Sequence, residues 1–85
     1  RVFTPEKWAH TPDSLRHKLM WSFQRQYQLE GMAQKEVEKL LGQGDDVQGS
    51  VEYKLEDDWI GGWRVYHIDY EQNRVIRAKE TWQDW

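Results

Sequence analysis

Three histidines, His10, His17 and His67, are the side chains of this 85-residue chain best suited to moving a proton near neutral pH. A helical metal site would space them as His-x-x-x-His. Here they fall in a loop, on a helix and on a strand, with no such spacing, so each reads as a surface residue. A nucleophile needs a neighbouring base, and Ser14, Ser22 and Ser50 lack an elbow motif around them. The pairs Asp45-Asp46 and Asp57-Asp58 offer carboxylates for calcium or acid/base work. Adjacent side chains rarely converge on one ion, and neither pair has the spaced ligands of a calcium loop, so both read as solvated loop charge. There is no cysteine for thiolate chemistry. Gly42-Gln43-Gly44 and Gly61-Gly62 lack the lysine of a phosphate-binding loop and read as turns. The expectation is therefore no enzyme, no cofactor and no metal. A cleft uniting His67 and Asp69 with shifted pKa values would reopen the enzymatic reading.

The aromatic residues point elsewhere. Six Trp, four Tyr and two Phe are many for so short a chain. Tryptophan is enriched where proteins grip one another. Trp21 falls off the apolar stripe of its helix, Trp59 and Trp63 bracket Ile60-Gly61-Gly62, and Trp82 and Trp85 lie near the C-terminal end. Trp59, Ile60, Trp63 and Trp82 are the expected contact surface for a partner protein. The competing use is structural, because each aromatic group buries about 150–250 Å² and a small domain needs that area.

The elements that must position these residues are marked in the pattern. Thr4-Pro5 followed by Glu6 predicts a short turn, and Thr11-Pro12 followed by Asp13 predicts a helix start with Thr as cap and Pro in the first turn. Leu15, Leu19, Phe23 and Tyr27, with Met20, form a stripe of helical period. Arg16, Lys18, Arg25 and Lys39 read as wet helix faces. Gly31 and Gly42 bound a second helix over 34–41, with Ala33 as cap, Glu36 at the third position, and Met32 and Val37 as a hydrophobic staple. The period then becomes two. Val51, Tyr53 and Leu55 share one face of a strand, and Tyr66, Ile68 and Tyr70 one face of a second. Ile76, Ala78, Glu80 and Trp82 lie in a third, with "EDDWIGGW" as a wide turn. A three-residue hairpin at Glu71, Gln72 and Asn73 would set Ile68 opposite Ile76 and Tyr66 opposite Ala78. Residues 1–85 thus read as a single α+β domain, two helices on one face of a three-stranded antiparallel sheet.

A net charge of -3 supplies no overall attraction to phosphate backbones, so nucleic acid is not an expected partner. No apolar run reaches the roughly 18 residues of a membrane-spanning helix.

The run "LEGMAQKEVEKLLGQGD", a strand with a central Tyr, and then "WRVYHIDYEQNRV" resemble the SmpA/OmlA family. The matching positions are Gly31, Met32, Val37, Leu40, Leu41 and Gly42, and the alternating Tyr66, Ile68 and Tyr70. Phe3, Trp8, Arg16 and Met20 have spacing similar to what precedes the motif in some relatives. Ala33 stands where that pattern usually has Ser or Thr, and Gly44 where it often has Pro. The family includes the small lipoprotein of the outer-membrane β-barrel assembly machinery. The resemblance implies a helix-helix-strand-strand-strand fold, close to the repeat of β-lactamase-inhibitor proteins. It also implies a protein-binding or assembly role in the bacterial cell envelope, with a leader or anchor removed upstream of Arg1. The alternative expectation is an inhibitor or immunity-type protein that presents the acids of "GDD" and "EDDW" to a basic enzyme cleft.

Overall fold

Thr4-Pro5 does more than start a turn. Thr4 is extended, its hydroxyl accepts from the Lys7 N–H at 3.1 Å, and Pro5 opens a helix, α1, spanning Pro5–His10. In the computed structural model, which describes residues 2–58 and 61–84, α1 is followed by α2 (His17–Gln26) and α3 (Gln34–Leu41). Four strands follow: β1 (Asp45–Val47), β2 (Ser50–Asp58), β3 (Gly62–Glu71) and β4 (Arg74–Asp84). They form one antiparallel sheet in the order β1-β2-β3-β4. The α+β class is as expected, with one more helix and one more strand.

The expected helix start at Thr11-Pro12 is displaced to His17, and Leu15 leaves the apolar stripe, 67% exposed. Arg16 causes the displacement. Its backbone N–H donates to Leu55 O at 2.9 Å, which holds residues 15–16 against the sheet edge in an isolated bridge between Leu15 and Glu56. Its guanidinium lies 4.4 Å from the Trp8 ring centroid, and its Nε donates to the carbonyls of Trp8 (3.1 Å) and Thr11 (3.0 Å). Arg16 is therefore a half-buried brace between α1 and β2, not part of a wet face.

The second expected helix matches α3 at both ends. Ala33 is its extended cap without a side-chain bond, and Gly42 takes the positive φ (76°) that ends it. Its last carbonyls are served from a distance, Leu41 O by the Trp8 indole and Gly42 O by the Tyr53 hydroxyl, each at 2.8 Å.

Two tight turns set the strand register. Gln48 and Gly49 (φ 52° and 90°) join β1 to β2, and Gln72 and Asn73 (φ 52° and 64°) join β3 to β4. Positive φ at both central residues is the type I′ pattern, whose twist suits adjoining strands. The second hairpin thus has a two-residue loop, and a bulge beyond it absorbs Ile76. Ile68 faces Ala78 and Tyr66 faces Glu80, a correction of two positions to the expected register. Asp57 and Asp58 belong to β2, so the expected wide turn is shorter.

One face of the sheet carries the core. Tyr53, Leu55, Tyr66, Ile68 and Val75 pack against Phe3, Trp8, Leu19, Met20, Phe23, Val37 and Leu41, all nearly inaccessible to water. Among the described residues, no helix lies over the opposite face.

Candidate protein-binding surface

Of the four residues expected to meet a partner, the two that the structure describes, Trp63 and Trp82, do not share one surface. Trp59 and Ile60 lie outside the described residues, as does Trp85. Trp63 pairs with Gln83 and Trp82 with Arg64 on adjacent strands. Directly opposed residues share a face and neighbours along a strand alternate, so Trp63 and Trp82 point to opposite sides of the sheet.

Trp63 lies on the face that no helix covers. Asp13, Asp45, Glu52 and Asp57 line a groove of about 460 Å³ there, with Val47, Val65 and Trp63 supplying apolar surface. One residue of each acidic pair, Asp45 and Asp57, therefore borders the same depression, while Asp46 lines a different one. Lys54 lies within it, 2.5 Å from Asp57 and 5.9 Å from the Trp63 ring centroid.

Farther along the same face is a polar network centred on His67. Its Nδ1 lies 2.7 Å from Glu52 Oε2 and its Nε2 3.0 Å from Asp69 Oδ1. Asp69 also accepts from the Ser50 hydroxyl and from Arg77 Nε (3.0 Å), and Gln83 donates to Glu52 at 3.0 Å. The hydrogen bond to Glu52, followed by the one to Asp69, raises the His67 pKa. The Ser50 and Arg77 bonds, with a smaller part from His67, bring Asp69 down to about 2. Local pattern makes His67 a surface residue, whereas the structure joins it to Asp69 and shifts the pKa of both. Their geometry remains unlike a catalytic dyad. Each ring nitrogen faces a carboxylate and Ser50 bonds to Asp69, so no nitrogen is left to take a proton from a hydroxyl.

Trp82 belongs to the helix-covered face, at one end of it. A row runs across the sheet there through Leu15, Glu56, Arg64 and Trp82. The Trp82 ring lies over Gly62, where an added Cβ would sit 2.5 Å from it. His17, the first residue of α2, reaches down to this row, with Nδ1 2.9 Å from Glu56 and Nε2 3.1 Å from Glu80. Arg64 stands 3.8 Å from the same Glu80. One turn along α2, the Trp21 ring meets the His17 ring edge-on at 4.6 Å between centroids. Leu15, Trp21 and Trp82 remain 67%, 47% and 40% exposed.

Of these, the sequence had singled out Trp82 as a site residue and Trp21 as lying off the apolar stripe. Leu15 and His17 were missed, because the local pattern put Leu15 in the core and gave His17 no partner. Only pairing between distant segments places them here. His10 is exposed, with its ring against Glu6 O at 2.8 Å. Among the described residues, no group of three or more His, Asp or Glu side chains is arranged to hold a metal ion. Nor, among the described residues, is any helix long and apolar enough to cross a membrane.

No family model matches the chain, and comparison with curated proteins and with solved structures gives no match either.

Proposed function

We propose that this chain is a non-catalytic protein-binding module whose contact surface is the tryptophan-flanked end of its helix-covered face. The observation that carries the reading is the grouping of Leu15, Trp21 and Trp82, all substantially exposed, around one cluster formed by His17, Glu56, Arg64 and Glu80. Exposed tryptophans around a polar centre combine the two parts of a recognition site: large apolar area to be desolvated, and charged groups that fix orientation. The consumed ring nitrogens of His67 support a non-catalytic role. The SmpA/OmlA resemblance supports an assembly role in the bacterial cell envelope.

The test is capture of a partner from the native cell with the Trp21→Ala/Trp82→Ala variant. Loss of the captured protein, with the circular dichroism spectrum unchanged, is expected. Undiminished capture by a folded variant would sink the proposal.

A specific observation favours a second reading, the inhibitor or immunity-type protein. Asp13, Asp45, Glu52 and Asp57 border one groove beside Trp63, an arrangement suited to a basic enzyme surface. Under that reading, Trp63→Ala weakens capture and binding falls steeply with added salt. The first reading requires Trp63→Ala to leave capture intact.

A further inference from the structure

We infer that the outer edge of β4, between Arg77 and Thr81, binds an extended partner segment as an additional antiparallel strand, with apolar side chains alternating with acidic ones. The inference rests on the reading above that the Trp21–Trp82 end is a partner surface, and it specifies how the partner is held.

The sheet covers most of the outer side of its long strand β2 with this chain's own backbone. The outer edge of β2 is paired with β1 over Ser50–Glu52 and bridged by Leu15 at Glu56. The start of β4 is treated likewise. The Gly31 N–H donates to Val75 O at 2.8 Å, the Val75 N–H to Met32 O at 3.0 Å, and the Gln34 N–H to Asn73 O at 2.8 Å. Residues 31–33 thus act as a very short added strand, bridged antiparallel at Ala33 and Arg74, which ends where α3 begins. β4 is the last strand of the sheet, and from Arg77 to Thr81 no strand pairs with its outer edge among the described residues. Such an edge presents backbone donors and acceptors ready for another chain.

The side chains beside this edge define the partner. On the helix-covered face, Ala78 and Tyr66 border a shallow groove of about 230 Å³ walled by Gln24 of α2 and by Tyr27, Gln28, Leu29 and Glu30 just beyond that helix. Its Tyr27, Leu29, Tyr66 and Ala78 surfaces suit apolar side chains of an added strand, and the Glu30 carboxylate at its wall disfavours acidic ones on this face. On the other face stand Arg77, which is ion-paired with Asp69 yet keeps 64% of its side chain exposed, and Lys79, which is exposed and makes no ion pair among the described residues. Residues of an added strand opposite these cations are best acidic.

A second copy of the chain fits poorly. Two β4 strands pairing antiparallel and keeping like faces together must centre on a residue. Centring on Ala78 sets Arg77 against Lys79, on Lys79 two lysines, and on Glu80 two carboxylates, each a like-charge pair, whereas centring on Thr81 avoids these but sets Lys79 against the uncharged Gln83 and so gives it no opposite charge. Charge complementarity therefore selects a different, acidic strand.

The probes are short synthetic peptides that alternate valine with glutamate or valine with lysine, each N-methylated on alternate amides along one edge or the other. The readout is hydrogen exchange of individual β4 amides by NMR. With the glutamate peptide whose free edge can face β4, alternate amides between Arg77 and Thr81 should exchange at least about tenfold more slowly. Methylation of the facing edge should remove the effect, because pairing needs those N–H groups. Lys79→Glu should weaken the glutamate peptide about tenfold and favour the lysine peptide. Unslowed β4 amides with every peptide at millimolar concentration overturn the inference. So do shifts of the Trp21 and Trp82 indoles without slowed exchange, a result that leaves the aromatic surface standing as a partner site. Slowing that appears without peptide as protein concentration rises would make the occupant a second copy and also overturn it. Conversely, protection that persists in Trp21→Ala/Trp82→Ala supports strand addition while counting against the aromatic surface.

Discussion

Trp8 and the Trp21–Trp82 pair use the same side chain in opposite ways. Trp8 is 1% exposed, its indole N–H donates to Leu41 O, and Arg16 covers its ring. It ties α1, α3 and the residue 15–16 segment together. Trp21 and Trp82 are nearly half exposed and border a charged cluster. One environment consumes the apolar surface and the N–H of tryptophan within the fold, whereas the other leaves apolar area facing water. Aromatic richness therefore serves both core filling and recognition, at different positions.

The sharpest way to break this contrast is substitution at its buried pole. Trp8→Ala should destabilise the domain by about 3–5 kcal/mol in urea unfolding, through lost burial and a cavity. Trp21→Ala should stay within about 1 kcal/mol of the parent. Similar losses from the two would end the distinction.

A smaller effect separates stability from binding. Ala33 caps α3 with no side-chain acceptor, so Ala33→Ser should stabilise the domain by about 1 kcal/mol, read as a higher urea midpoint, and leave partner capture unchanged. No rise would mean that the serine hydroxyl fails to reach the open N–H groups.

The smallest effect is a pH dependence from the uncovered face. The raised His67 pKa means that the folded protein holds this proton more tightly than the unfolded chain does. Its contribution is complete below about pH 6.5 and is lost as pH rises through the raised value. Asp69 acts in the other direction. Its contribution is present above the usual 3.8 and is lost as pH falls towards about 2. The urea midpoint should therefore decline on the alkaline side in the parent, and His67→Gln should flatten that decline. An unchanged profile in His67→Gln would remove the network from the account of stability.

Much of the fold was legible from local pattern, whereas the surface was legible only in pieces. The Gly31 and Gly42 boundaries of α3 and the shared face of Tyr66 and Ile68 follow from conformational freedom and from a period of two. Trp21 stood out because it broke a helical stripe. Leu15 misled because its spacing matched that stripe, and nothing local records that Arg16 donates to Leu55. At the β1–β2 hairpin the sequence offers Gly49 as a turn residue, and the structure gives both Gln48 and Gly49 positive φ there.

Sequence alone determined the α+β class, the extent of α3 and the inward parity of β2 and β3, because caps, glycines and alternation act over a few residues. Tertiary structure decided where α2 begins, how β4 is registered and which tryptophans face water. Those outcomes depend on long-range hydrogen bonds and on a single bulged residue, Ile76, whose place in the ladder shifts every later pairing on its strand.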